Sequence, residues 1–215
     1  MNLEIESETT HTEIGSSHLP GILTIPKGAK GIVVFAHGSG SSRLSPRNQH
    51  VAQVLQEGGL ATLLFDLLDE TEAEDRRNVF EIPLLAERLD QAARWVMENE
   101  DTKNLRLGLF GASTGAAAAL VAETRLKGKI GAIVSRGGRP DMAEPYLPLV
   151  VAPTLLIVGG RDEAVIQMNQ RAYEMMHCEK QLRIVDGATH LFPEPGALEQ
   201  VAKLACQWFC QYLKH

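Results

Sequence analysis

The chain has few cysteines, no long hydrophobic run and no excess of basic residues, and each shortage excludes a class of protein. Three cysteines among 215 residues are too few, and odd in number, for a disulfide framework. No apolar stretch approaches the length of a membrane-spanning helix. The formal net charge of −6 argues against nucleic acid or an anionic membrane surface as the main partner.

The same shortages bear on location and metal binding. The first residues, MNLEIESETTHTEI, are acidic and polar, unlike a secretory signal, so we expect a cytoplasmic protein. Cys206 and Cys210 lie four residues apart on a predicted helix, yet no Cys-x-x-Cys or His-x-x-His completes a ligand set. We expect both, with Cys178, to be buried core thiols, and we expect no metal and no organic cofactor.

Strands and helices alternate along the chain, which favours a single α/β domain over residues 1–215 with a mostly parallel sheet and helices on both faces. Strands are predicted at 3–8, 19–25, 31–36, 60–65, 105–110, 130–134, 153–158 and 182–185. Helices are predicted at 48–57, 82–98, 163–176 and 196–213, with an alanine-rich helix after Gly115. The charged stretch 69–77 is predicted to be a solvated loop, and residues 9–18 a polar loop. No internal repeat or linker is present.

The stretch 105–119, LRLGLFGASTGAAAA, carries a G-x-S-x-G pentapeptide between a predicted strand and a predicted helix. This order is the context of a nucleophile elbow, in which Ser113 is the candidate nucleophile. Gly111 and Gly115 remove side chains that would crowd a strained turn. The alternative is that Ser113 is only the N-cap residue of the helix.

An acid and a histidine follow two later strands. Asp162 comes just after the strand at 153–158, and His190 just after the strand at 182–185. Loops at the carboxyl ends of parallel strands converge on one edge, so both side chains are expected near Ser113. The order Ser, acid, His is that of α/β-hydrolase triads. Each residue alone has another interpretation, since Asp162 can cap the following helix and His190 can be a structural loop histidine.

Two other acids, Asp186 and Asp141, remain possible partners of the histidine. Asp186 lies unusually close to His190 in sequence, and Asp141 follows a different strand.

The chain resembles the α/β-hydrolase superfamily, and most closely its small dienelactone hydrolase-like branch. The residues that carry the resemblance are His37-Gly38-Ser39-Gly40, Gly111-Ala112-Ser113-Thr114-Gly115, Gly160-Arg161-Asp162 and Ala188-Thr189-His190. Dienelactone hydrolases proper use a cysteine nucleophile, whereas this chain has a serine. The resemblance therefore implies the fold and the triad more than that particular activity.

The implied chemistry is nucleophilic acyl transfer by Ser113, with His190 as base and Asp162 orienting the imidazole. The backbone N–H groups of Ser39 and Thr114 are expected to form the oxyanion hole. His37, beside that loop, is expected to be structural. No cofactor is implied.

The substrate is less well defined. Residues 135–152 are too few for a separate cap domain, and they contain Arg136 and Arg139 in the motif SRGGRP. We hypothesise that one of these arginines contacts a substrate carboxylate or phosphate, because arginine suits bidentate anion recognition. The alternative is a surface arginine paired with Asp141 or Glu144.

Three functions fit these residues. The first is a serine hydrolase of carboxylic esters, thioesters or lactones, acting on a small-molecule acyl substrate. The second is an acyltransferase that uses the same triad, and the third is a sensor or binding module on a hydrolase scaffold. A monomer or small homo-oligomer is expected from the size of the chain.

Overall fold

The alternation of apolar strands with helices produces one eight-stranded sheet in the computed structural model, which describes residues 6–214. The strands are β1 (Ser7–Ile14), β2 (Leu19–Pro26), β3 (Gly31–Ala36), β4 (Ala61–Phe65), β5 (Arg106–Ala112), β6 (Ile130–Arg136), β7 (Thr154–Gly159) and β8 (Lys180–Val185). The α-helices are α1 (Pro46–Glu57), α2 (Glu70–Glu74), α3 (Ile82–Glu98), α4 (Thr114–Arg125), α5 (Glu163–Met175) and α6 (Ala197–Leu213).

The order of strands across the sheet is β1-β2-β4-β3-β5-β6-β7-β8. Strands β3 to β8 are parallel to one another, whereas β1 and β2 pair antiparallel at one end. The predicted mostly parallel α/β architecture is therefore confirmed. Because the parallel strands share one direction, the loops after β3, β5, β6, β7 and β8 meet along one edge.

Helices cover both faces of the sheet and create two hydrophobic layers. One layer lies between the sheet and helices α3, α4 and α5, and the other between the sheet and helices α1 and α6. Strands β3, β4 and β7 are buried at every position, which explains why their sequences are continuous apolar runs rather than alternating patterns.

The connection between β6 and β7 forms a 3₁₀ segment, Pro140–Leu149, that packs against α4 and α5. It is part of the domain body, so the prediction that no separate cap domain is present is confirmed. No helix within residues 6–214 is long and apolar enough to cross a bilayer.

The first strand differs from the prediction. Residues 7–14, SETTHTEI, are largely polar and exposed, and the stretch after residue 8 was expected to be a loop, yet they form β1. Pairing with β2 along the whole of β1 satisfies backbone groups on one side, and an edge strand has little need of apolar side chains. The predicted strand residues 3–5 lie outside the described residues.

Two smaller expectations are also corrected. The charged stretch predicted as a loop contains the short helix α2, because Asp69 and Glu72 form a reciprocal capping box at its start. The three cysteines are half-buried rather than fully buried, and none of them forms a disulfide. Cys206 and Cys210 face each other one turn apart on α6, with 3.9 Å between their sulfur atoms.

Candidate active site

Ser113 occupies the turn between β5 and α4 and has the backbone geometry of a strained elbow. Its φ is 52° and its ψ is −118°, a region that L-residues rarely adopt. The neighbouring glycines explain how the turn fits. A Cβ on Gly111 would lie 2.4 Å from Ala116 Cα, and a Cβ on Gly115 would lie 2.2 Å from the carbonyl oxygen of Ala36. Only glycine allows α4 to start so close to β3 and β5.

The side chain of Ser113 does not cap α4, so the simple N-cap interpretation does not hold. The backbone of the elbow is instead held by the segment that follows β6. Ser113 N–H donates to Arg136 O at 3.1 Å, and Arg139 N–H donates to Ser113 O at 3.1 Å. These bonds leave the hydroxyl of Ser113, which is partly exposed, without a hydrogen-bond partner among residues 6–214.

Asp162 and His190 come together across the ends of β7 and β8. Their Oδ2 and Nδ1 atoms are 2.6 Å apart, and both side chains are partly buried. Asp162 makes no capping hydrogen bond to α5, so its carboxylate serves the histidine rather than the helix. A proton on Nδ1 donates to the carboxylate and leaves Nε2 with a free lone pair, the state that a general base requires.

The two loops that carry this pair are tied to each other. Arg161 N–H donates to Ala188 O at 2.9 Å, and a Cβ on Gly159 would lie 2.5 Å from that same oxygen. Neither rival acid pairs with His190. Asp141 pairs with Arg139, and Asp186 is exposed to solvent.

The segment 136–139 links His190 to the elbow. A Cβ on Gly137 would lie 3.5 Å from both Cε1 and Nδ1 of the His190 ring, while Arg136 and Arg139 hold the backbone of Ser113. The imidazole and the candidate nucleophile therefore lie against the same four residues. The structure gives no hydrogen bond between Ser113 Oγ and His190, and catalytic hydrogen bonds of this kind often tighten only when a substrate binds.

His37 fixes the loop between β3 and α1. Its Nε2 accepts the N–H of Leu67 at 3.0 Å, so Nδ1 carries the proton and donates to Gly38 O at 3.0 Å. Burial is the main cause that lowers the pKa of His37. An imidazole that is neutral and makes a hydrogen bond through each ring nitrogen has a structural role, as expected from the sequence.

The low pKa of His37 predicts a pH-dependent stability. The unfolded chain takes up a proton near the ordinary value of 6.5, whereas the folded chain resists it until lower pH. The contribution of His37 is therefore fully present above pH 6.5 and is lost as the pH falls below that value. We expect the thermal midpoint to fall between pH 7 and pH 5 in the parent protein, and to fall less in His37→Asn. Parallel pH curves for the two proteins would contradict this assignment.

The candidate oxyanion hole contains one feature that the sequence did not reveal. Ser39 N–H, expected from the sequence to bind the oxyanion, donates in the structure to Thr114 Oγ1 at 3.0 Å. Thr114 is buried at the first position of α4, and its hydroxyl proton has no acceptor among residues 6–214. Because a hydroxyl that accepts a hydrogen bond becomes a stronger donor, we hypothesise that Thr114 Oγ1 donates to the oxyanion in place of Ser39.

Removing this hydroxyl tests that role. We expect Thr114→Val, which keeps the shape of the side chain, to lower kcat by about 100-fold with little change in KM, because an oxyanion donor acts in the transition state. Thr114→Ser should restore most of the activity. Steady-state kinetics on one activated ester would measure both. Equal kcat values for the threonine and valine proteins would show that the hydroxyl has only a packing role.

A cavity of about 660 Å³ opens beside this loop. Ser39 and Thr114 form part of its wall, and a Cβ on Gly38 would lie 3.1 Å from Ser113 Cβ. Most of the exposed surface of the wall is apolar and comes from Pro20, Leu44, Leu67, Leu68, Val79 and Leu85, while polar side chains that include Ser41, Ser42, Asp69 and Glu70 line the remainder. An ion pair between Arg43 and Asp66 closes one side of the cavity. Ser113, Asp162 and His190 do not line the cavity themselves, so the cavity adjoins the elbow through Ser39 and Thr114.

The structure separates the two arginines of the SRGGRP motif. Arg139 makes two hydrogen bonds to Asp141, at 2.9 and 2.7 Å, so it follows the surface ion-pair alternative. Arg136 is buried, only 7% exposed, and no carboxylate pairs with it among residues 6–214. In the same part of the chain, no group of three His, Cys, Asp or Glu side chains is placed to hold a metal ion.

Comparison with known proteins gives a consistent picture of this architecture. Residues 29–212 match a family model described as an alpha/beta hydrolase domain. A crystal structure named dienelactone hydrolase, from Anabaena variabilis, is 54% identical with a TM-score of 0.93, over 98% of this chain and 99% of that one. An esterase of Pyrococcus furiosus is 19% identical, with a TM-score of 0.76 over 98% and 94% of the two chains, and shows the fold alone.

A curated relative carries a different name. A Mycobacterium tuberculosis protein, provisionally named as a phosphoribosyl transferase, is 56% identical over 209 residues. The match covers 97% of this chain but only 47% of that protein, so the chain spans about half the length of the curated relatives it matches.

Proposed function

Because the chain belongs to the α/β-hydrolase family, in its dienelactone hydrolase-like branch, we propose that it is a serine hydrolase that cleaves carboxylic esters, thioesters or lactones. The substrate is a small acyl compound, and the reaction proceeds through an acyl-enzyme on Ser113. One observation carries the proposal. The hydrogen bond of 2.6 Å joins His190 to Asp162, His190 packs against Gly137, and the residues on either side of Gly137 and Gly138 hold the backbone of the elbow serine, whose hydroxyl has no hydrogen-bond partner among residues 6–214.

The first half of the reaction acylates the enzyme. His190 Nε2 takes the proton of Ser113 as Oγ forms a bond to the carbonyl carbon. Asp162 stabilises the imidazolium that forms. The negative charge on the carbonyl oxygen is stabilised by the backbone N–H of Thr114 and by the hydroxyl of Thr114, whose oxygen accepts the N–H of Ser39. When the intermediate collapses, the bond to the leaving oxygen or sulfur breaks, and that atom receives the proton held by His190.

The second half releases the acyl group. Water attacks the acyl carbon while His190 takes one of its protons, and the bond to Ser113 Oγ breaks as the serine regains that proton. The acid leaves and the enzyme returns to its starting state. The apolar cavity beside Ser39 is the proposed place for the acyl chain, since it meets the elbow on the oxyanion side.

The name phosphoribosyl transferase belongs to relatives about twice as long as this chain, and the part that they share with it is the hydrolase domain. Hydrolase chemistry is therefore the activity that we assign to the shared part.

A panel of p-nitrophenyl esters of increasing acyl length tests the proposal. We expect turnover that rises with chain length until the cavity is filled, and a burst of p-nitrophenol equal to the enzyme concentration where deacylation is slow. Repeating the assay with added alcohols or amines separates the alternatives. Free acid as the main product supports a hydrolase, whereas transfer to the acceptor supports an acyltransferase.

Two results would overturn the assignment. Stoichiometric binding of an ester or acid without any turnover by the folded protein would favour the sensor module. Turnover that is unchanged in Ser113→Ala would place the chemistry elsewhere in the chain.

A further inference from the structure

Arg136 is an unusual residue because it is charged and buried and has no side-chain partner among residues 6–214. It is 7% exposed, and its Nη1 atom is buried with no hydrogen bond. A buried cation that no carboxylate neutralises destabilises the fold, so its presence calls for an explanation, and an anionic ligand supplies one. Its carbonyl holds the backbone of Ser113, so this arginine is a direct neighbour of the candidate nucleophile.

A second arginine faces the same space. Arg136 lies two residues beyond Val134 on β6, so its side chain points into the layer below α1 and α6. Arg47 lies one turn before the buried Val51 on α1, so it points into that layer as well. The Nε atom of Arg47 is also buried without a partner.

The neighbouring charge that acts on Arg136 is also positive. Burial, and after it the positive charge of Arg47, lower the pKa of Arg136 to about 10. The amino terminus of α1 adds partial positive charge nearby. Two further polar atoms on α1 have no hydrogen-bond partner among residues 6–214: His50 Nε2 and Asn48 Oδ1. Either can donate a hydrogen bond after a change of tautomer or a rotation of the amide.

We propose that Arg136 and Arg47 form a binding site for an oxyanion group, carboxylate or phosphate, carried by the ester substrate. This inference rests on the proposed function and narrows it to anionic acyl compounds. The anion neutralises two like charges that otherwise repel each other, and the planar guanidinium groups match its oxygen atoms. The ester carbonyl of the same molecule is then held at Ser113, next to Arg136. Arg139 takes no part, because Asp141 already satisfies it.

Direct binding is measured first, with inorganic phosphate and with succinate as probes, on the Ser113→Ala protein. We expect either or both anions to raise the thermal midpoint by about 2–4 °C above a sodium chloride control of equal ionic strength. The rise should vanish in Arg136→Met and in Arg47→Met, and should persist in Arg139→Met. The probe that gives the larger rise in the thermal midpoint identifies the preferred anion as phosphate or carboxylate.

Kinetics provide the second measurement. We compare p-nitrophenyl acetate with the mono-p-nitrophenyl ester of succinic acid and the p-nitrophenyl ester of phosphoglycolic acid. Arg136→Met and Arg47→Met should lower kcat/KM for the preferred anionic ester by about 10- to 100-fold relative to the acetate. Arg139→Met is the matched control, since it removes an arginine of the same motif that already has a partner.

Stability distinguishes a ligand site from a structural role. Replacing an unpaired buried charge by methionine should leave the thermal midpoint unchanged or raise it. If Arg136→Met does not fold, Arg47→Met alone carries the test.

Unchanged ester preference in the Arg47 and Arg136 variants, together with no specific anion stabilisation, would overturn the anion site while leaving the hydrolase intact. Anion stabilisation without turnover of any ester would overturn the hydrolase instead.

Discussion

Replacing Ser113 by alanine should lower kcat for any substrate ester by about 10⁵- to 10⁶-fold, and His190→Ala should do nearly the same. The two residues act on one proton, so removing either stops the same step. The double variant should therefore be little slower than each single variant. Steady-state assays with a sensitive chromogenic ester measure all three proteins.

The control for this prediction is the thermal stability of the Ser113→Ala variant. Ser113 is partly exposed and makes no side-chain hydrogen bond to α4, so Ser113→Ala should keep the thermal midpoint of the parent protein. Independent, additive losses in the single and double variants would contradict the idea that the serine and the histidine work as a unit.

The largest expected effect on folding comes from Gly115→Ala. On helix propensity alone this change favours the folded state by about 1 kcal/mol, because Gly115 lies in the first turn of α4. The added Cβ would lie 2.2 Å from Ala36 O and 2.5 Å from His37 O, and both are backbone atoms of the central part of the sheet. We expect a loss of about 3 kcal/mol in the free energy of unfolding, measured by urea denaturation.

A glycine in open space provides the comparison. Gly128 has a φ of 73° and no atom within 4 Å of an added Cβ, so Gly128→Ala pays only the backbone strain of about 1 kcal/mol. Equal losses in the two variants would show that close packing at the elbow is not what requires glycine at position 115.

The sequence alone predicts those parts of the fold in which the local hydrophobic pattern agrees with the tertiary packing. The buried runs of β3 and β7, and the strong amphipathic period of α3, predict those elements within one or two residues. The elbow was predictable from the order of a strand, two glycines around Ser113 and a helix. The proximity of Asp162 and His190 was predictable from their positions after β7 and β8, since parallel strands bring their carboxyl ends together.

Other features depend on contacts that no local pattern records. The polar strand β1 exists because it can pair with β2, which is information about a neighbour rather than about its own residues. The bond from Ser39 to Thr114 joins residues far apart in the chain. The motif SRGGRP contains two arginines that look alike, and only the fold shows that one is paired with Asp141 and the other is buried without a partner.

Fluorophosphonate labelling, followed by mass mapping of the modified peptide, tests the central claim most directly. A reactive phosphonate marks a serine only where a base activates it and an oxyanion hole receives the phosphoryl oxygen. The account predicts one adduct per chain, on the peptide that contains Ser113, absent in Ser113→Ala and formed far more slowly in His190→Ala. An adduct on another residue, or none on a folded protein that turns over esters, would contradict it.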